Sequence, residues 1–221
     1  MNDYNKFQAE PEIYQGQFGE FTITQSDRLG VKIYRSGLMV AAVCFAISTA
    51  LVLWPNPTEG VTSLLTPLYG CFCLGLGVSL VTIHIYLAIL HRLLQLFWSI
   101  GTTAALWFGL TSSEPLAIAV YNDPLALFGI GFTFAALSGI YFKEAFCFNR
   151  LETKLLTPLV PVLNLGHLFG WLSAYAESLL LATWAILFMV FALRKVFQAI
   201  PDDIGDKSVF AYLKQQRSAQ A

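Results

Sequence analysis

Residues 65–110 read LTPLYGCFCLGLGVSLVTIHIYLAILHRLLQLFWSIGTTAALWFGL, and Arg92 is the one Asp, Glu, Lys or Arg among them. About 18 or more apolar residues without a charge suffice to cross the hydrocarbon of a bilayer as a helix. The stretch therefore reads as two membrane helices, Leu65 to Leu90 and Leu93 to Leu110, with His91 and Arg92 in a tight turn between them. Working outward, four further apolar blocks have the same character: Gly37 to Trp54, Pro124 to Phe142, Leu155 to Leu172 and Ser178 to Leu193. The fold class expected is all-α, a polytopic bundle of six transmembrane helices. Three regions follow: an N-terminal segment 1–36, a transmembrane domain 37–193 and a tail 194–221.

Composition agrees. Of 221 residues, 56% are hydrophobic and 12% charged, and mean hydropathy is +0.61. A soluble domain runs nearer a quarter charged and could not cover so much apolar surface. The net charge of −1 implies no general attraction to nucleic acid. Cys44, Cys71, Cys73 and Cys147 fit neither a secreted disulfide framework nor a zinc spacing. No cleavable signal peptide is visible, because the polar stretch before Gly37 is too long and too acidic.

Orientation follows from the basic residues. Lys6, Arg28, Lys32 and Arg35 precede the first span, and Arg92 lies between the second and third. Lys143, Arg150 and Lys154 lie between the fourth and fifth, and Arg194, Lys195, Lys207, Lys214 and Arg217 follow the sixth. These are all 13 Lys and Arg. The opposite loops hold Glu59, Glu114, Asp123 and Glu177 and no basic residue. The positive-inside rule then places both termini on the cytoplasmic side. Trp54, Trp107 and Trp171 fall at the outer ends of spans, where an aromatic belt belongs.

The N-terminal segment is expected to form a short extended ribbon around Phe21-Thr22-Ile23-Thr24, with turn chemistry at Ser26-Asp27. The tail is expected to form an amphipathic turn or two around Val209, Phe210 and Leu213.

No Asp, Glu, Lys or Arg lies inside the six spans, which disfavours ion-coupled transport. Intramembrane aspartyl and zinc proteases are disfavoured too, there being no Asp pair and no His-Glu-x-x-His. The candidate binding residues are His84, Asn164 and His167. Asn164 and His167 share a helix face, and a histidine there could ligate haem iron or chlorophyll magnesium. The competing reading is interhelical hydrogen bonding. His84 and His167 sit toward opposite ends of their spans, too far apart in depth to share one iron. Ser138 invites comparison with rhomboid proteases, but its depth separates it from His167, and a nucleophile needs its base within reach. Ser138 reads better as packing beside Gly131, Ala135 and Gly139, a stripe of small residues, and Cys71, Gly75 and Ser79 form a second. Residues 143–150, with aromatics and charges of both signs, read as an interfacial loop.

Tyr14-Gln15-Gly16-Gln17-Phe18-Gly19, Ser26-Asp27-Arg28, the approach from Gly30-Val31 to Tyr34-Arg35, and Lys143-Glu144-x-Phe146-Cys147-Phe148 resemble a six-helix family of integral membrane proteins of cyanobacteria and plastids. The resemblance runs from about Tyr14 to about Pro201. It implies a photosynthetic origin and a thylakoid or plasma membrane location, and carries over no catalytic residue. No enzyme is expected and the cofactor stays unknown. The leading expectation is a non-catalytic accessory, assembly or scaffold factor, with the bilayer and other membrane proteins, or copies of itself held through small-residue faces, as partners. The alternative is a transporter or channel for a small neutral solute, with His84, Asn164 and His167 lining the path.

Overall fold

The computed structural model describes residues 12–55, 58–85 and 87–219. The chain opens with an antiparallel hairpin, β1 (Ile13–Gly16) and β2 (Gly19–Thr22), pairing Tyr14 with Phe21. Gly19, at φ 135°, takes a turn conformation that side chains resist. Helices follow: α1 (Gln25–Val52), α2 (Glu59–Thr82), α3 (Ala88–Thr111), α4 (Leu116–Asn122), α5 (Pro124–Phe148), α6 (Leu151–Leu168), α7 (Ala174–Phe197), α8 (Ile200–Ile204) and α9 (Ser208–Ala219). Among the described residues, α1, α2, α3, α5 and α7 are long and apolar enough to cross a membrane. The 18-residue α6 carries Glu152, Lys154, Pro158 and Pro161 and is not among those five, yet it packs between α5 and α7.

Several helix ends depart from expectation, each for a local reason. α1 begins at Gln25, not Gly37. Thr24 and Asp27 form a capping box: the Asp27 amide donates to Thr24 Oγ1 at 3.2 Å, and the Thr24 amide donates to Asp27 Oδ2 at 2.8 Å. The residues expected to turn thus start a helix. α2 stops at Thr82, short of Leu90, where α3 side chains take its Leu80 carbonyl. His91 Nε2 lies 2.5 Å from the Leu80 carbonyl, and Gln95 Nε2 donates to it at 3.2 Å. His91 and Arg92 therefore lie in the first turns of α3. α5 runs to Phe148, so most of the expected interfacial loop is helical. Asn149 ends that helix in the left-handed conformation at φ 52°. α7 extends to Phe197 and takes in Arg194 and Lys195. Val209, Phe210 and Leu213 fall in α9.

α1 packs on α2 and α7, α3 on α5, and α6 on α5 and α7. The tightest approach is between α1 and α2. A Cβ on Gly37 would lie 2.6 Å from the Gly75 carbonyl, and Ser79 Oγ donates to the Tyr34 carbonyl at 2.9 Å. The Cys71-Gly75-Ser79 stripe thus serves helix packing within this chain. Gly139 likewise takes Leu94 of α3, whereas Gly131 meets nothing within 4 Å. Outside the bundle, Leu74, Val81, Leu110, Leu125 and Ile186 are each more than 60% exposed. Apolar exposure on that scale suits a surface bathed in lipid.

The hairpin sits beside α8 and α9 and marks one end of the bundle, here the hairpin end. Gln17 N donates to Asp206 Oδ2 at 2.6 Å and Phe18 N to Ser208 Oγ at 3.0 Å. Lys207 pairs with Asp27 at 2.7 Å, and Phe18 stacks on Tyr212 at 4.1 Å. Ile23, Val31 and Ile204 close a small core beneath. The opposite, α4 end carries the turn from α6 to α7.

Candidate functional site

At the α4 end the helices leave an interior crevice of two adjoining cavities, about 240 and 420 Å³. Both are lined by Phe45 and Val52 of α1, Phe134 of α5 and Leu181 of α7, and Ala117 and Val120 of α4 border both. α4 stays in place because Leu116 packs with Ala105 and Ile130. Seven residues are too short a run for a period to register, so nothing in the sequence announced it. The floor is aromatic. Trp184 lies 4.5 Å from Phe45 and 5.2 Å from Phe134 between ring centroids. Trp184 Nε1 donates to Tyr141 Oη at 3.2 Å, which holds the indole in one orientation.

The polar part of the crevice gathers around His167. Its Nδ1 lies 2.7 Å from Glu177 Oε1, and its Nε2 lies 3.0 Å from the Tyr121 carbonyl. The Tyr121 ring sits 4.6 Å from the imidazole. A carboxylate and a carbonyl both accept hydrogen bonds, so a doubly protonated ring satisfies both. With both nitrogens engaged, His167 has no free lone pair for a metal. Asn164 also lines this cavity, but its Nδ2 donates to the Val160 carbonyl of its own helix at 2.8 Å. His84 belongs to neither cavity. It lies in the connection from α2 to α3 at the hairpin end, its Cε1 3.7 Å from a Cβ built on Gly30. Burial pushes its imidazole below the ordinary value, with Lys143 and Lys207 adding to the shift and Asp27 and Asp203 opposing it. The three candidate binding residues are thus split: His167 and Asn164 share a site, and His84 lies at the other end. Among the described residues no three His, Cys, Asp or Glu side chains are grouped to hold a metal ion. Ser138 Oγ has no hydrogen-bond partner, and hence no histidine base.

Beneath the aromatic floor, Leu38, Leu76, Leu137, Ile140, Phe188 and Phe191 form a buried apolar core. Below that, the hairpin end is closed by a buried ion network. Lys195 of α7 is fully buried and donates to Glu144 Oε2 of α5 at 2.7 Å and to Asp203 Oδ1 of α8. Its ammonium also lies 4.6 Å from the Phe148 ring centroid. Arg35 of α1 reaches Asp203 Oδ2 through Nε at 2.8 Å and Nη2 at 2.6 Å. It also donates to the Gln198 carbonyl at 2.7 Å and the Ala199 carbonyl at 3.1 Å, in the short link between α7 and α8. Lys143 pairs with Glu144 at 2.8 Å, and Arg194 with Glu152 at 2.9 Å. Counting charges assigns these cations only to a side of a membrane and gives the acids no role. The available signal was Glu144, Glu152 and Asp203 lying among clustered Lys and Arg, where each can find a partner.

The sequence of residues 78–212 matches the family model described as uncharacterized integral membrane protein (DUF2301). An uncharacterized protein of Haemophilus influenzae is 29% identical over 192 residues, covering 83% of this chain and 91% of the relative. No solved structure matches. A relative in Haemophilus takes the likeness beyond cyanobacteria and plastids, so membership does not itself carry a photosynthetic origin or a thylakoid location. The matched region takes in α3 to α8 with Glu144, His167, Glu177, Lys195 and Asp203, and the chain belongs to this family of integral membrane proteins.

Proposed function

We propose that this multi-pass membrane protein crosses the bilayer six times with both termini in the cytoplasm, and that it binds a small solute with an apolar body in the α4-end crevice and passes it across. The observation that carries this is the pairing of an aromatic crevice at one end with a buried ion seal at the other, on the same helices α1, α5 and α7. Such an arrangement suits a carrier open to one side and closed to the other. Among the described residues the Lys and Arg belong to the hairpin end, and Glu114, Asp123 and Glu177 to the other, which supports the orientation. α6 supplies the sixth span: at 18 residues it measures about 27 Å, and it runs from the basic end to the acidic one. The Haemophilus relative favours the plasma membrane as the setting.

Purified protein in liposomes tests this with two labelled aromatic probes of low passive permeability, phenyltrimethylammonium and N-acetylphenylalaninamide. At least one should equilibrate several times faster than across empty liposomes, and Leu181→Trp, which fills the crevice, should abolish the gain. Failure of the protein to speed either probe rejects transport.

A non-catalytic accessory role is the second reading. It is favoured by a groove of about 320 Å³ between α5 and α6, lined by Gly131, Ala135, Ser138 and Pro161. Stoichiometric recovery of subunits of one membrane complex, on isolation in mild detergent, would favour that role.

A further inference from the structure

The crevice chemistry narrows the class of solute, an inference that rests on the crevice being the solute site. Glu177 is the one Asp, Glu, Lys or Arg among the described residues lining the two cavities. Among the described residues that end also holds Glu114 and Asp123 and no Lys or Arg, so the field at the mouth draws cations and repels anions. Glu177 faces one ring nitrogen of His167 at 2.7 Å, and both acceptors around that ring ask for a protonated imidazole. The site is therefore built around a protonated nitrogen beside a partly buried carboxylate. Phe45, Phe134 and Trp184 lie deeper, where their faces suit an apolar body and attract a cation.

We propose that the crevice binds an organic amine in its ammonium form, with its apolar body among Phe45, Phe134 and Trp184 and its nitrogen on Glu177 in place of His167. A carboxylate or phosphate finds no cation here except the imidazole that Glu177 already holds. A neutral solute loses the charge-assisted hydrogen bond.

Phenethylamine, phenethyl alcohol and phenylacetate share a ring and a two-carbon body and differ in charge. Their equilibrium binding is measured on the full chain in nanodiscs, with empty nanodiscs subtracted. Phenethylamine should bind about tenfold or more tightly than the alcohol, and phenylacetate weakest. Glu177→Gln should bring amine affinity down to that of the alcohol. His167→Ala, which frees Glu177, should tighten phenethylamine binding, a direction no folding defect produces. Alcohol binding as tight as amine binding, or amine affinity indifferent to both substitutions, overturns the amine class while leaving the crevice a solute site. Binding of none of the three also overturns it, and if probe flux is absent as well, the solute reading falls with it.

Discussion

Lys195 ties two acids together at the hairpin end. Its ammonium is fully buried and answers both Glu144 and Asp203. Leaving a buried charge with no counter-ion costs about 3–5 kcal/mol, but without Lys195 the Glu144 carboxylate keeps Lys143 and Asp203 keeps Arg35, so the loss falls below that range. Lys195→Met should therefore lower the thermal midpoint in detergent moderately, read by circular dichroism. Adding Glu144→Gln should cost less than the sum of the two single changes, because both act on one network. Additive losses would mean that the two side chains do not share a network. Little of this was legible beforehand: Lys195 and Glu144 lie 51 positions apart, and no local pattern pairs them. Asn164 and His167 were legible as polar groups on one face, but their partners were not. Tyr121 and Glu177 come from α4 and α7, and only the folded bundle brings them to the histidine.

At the scale of elements, charge-free runs located the long helices, and their ends depended on contacts that hydropathy does not record. The capping box at Thr24 and the side chains that close α2 at Leu80 are such contacts. α4 and α8, of seven and five residues, are too short for periodicity to reveal. Close approach is testable by adding one methyl group. Gly37→Ala drives a Cβ into the Gly75 carbonyl and should destabilise by about 1–3 kcal/mol. Gly131→Ala enters open space and should be neutral or stabilising by up to about 1 kcal/mol. Equal effects on the thermal midpoint would contradict the α1–α2 packing. The clamp between hairpin and tail should respond to pH. The Ser208 hydroxyl and the Gln17 amide hold the Asp206 carboxyl below the usual carboxylate range. A depressed folded-state pKa gives stability that is present above the unfolded value and is lost as pH falls through the folded one. Exchange of the Gln17 amide should accelerate as pH drops below the usual carboxylate range, relative to its intrinsic rate, and Asp206→Asn should remove that dependence.

The whole molecule joins a crevice at one end to an ion seal at the other. The segregation of basic residues made the two ends distinguishable from the sequence. It could not say that one end is hollow and the other closed, because both properties arise from residues distant in the chain. The direct measurement uses a cysteine-free background, with Leu181→Cys in the crevice and Glu59→Cys and Lys214→Cys as markers of the two faces, in intact cells and in inverted vesicles. A membrane-impermeant maleimide should label the Leu181 and Glu59 positions from the outside only and the Lys214 position from the inside only, with phenethylamine protecting the Leu181 position. Labelling of the Leu181 position from the cytoplasmic side, or of both markers from one side, would contradict the account.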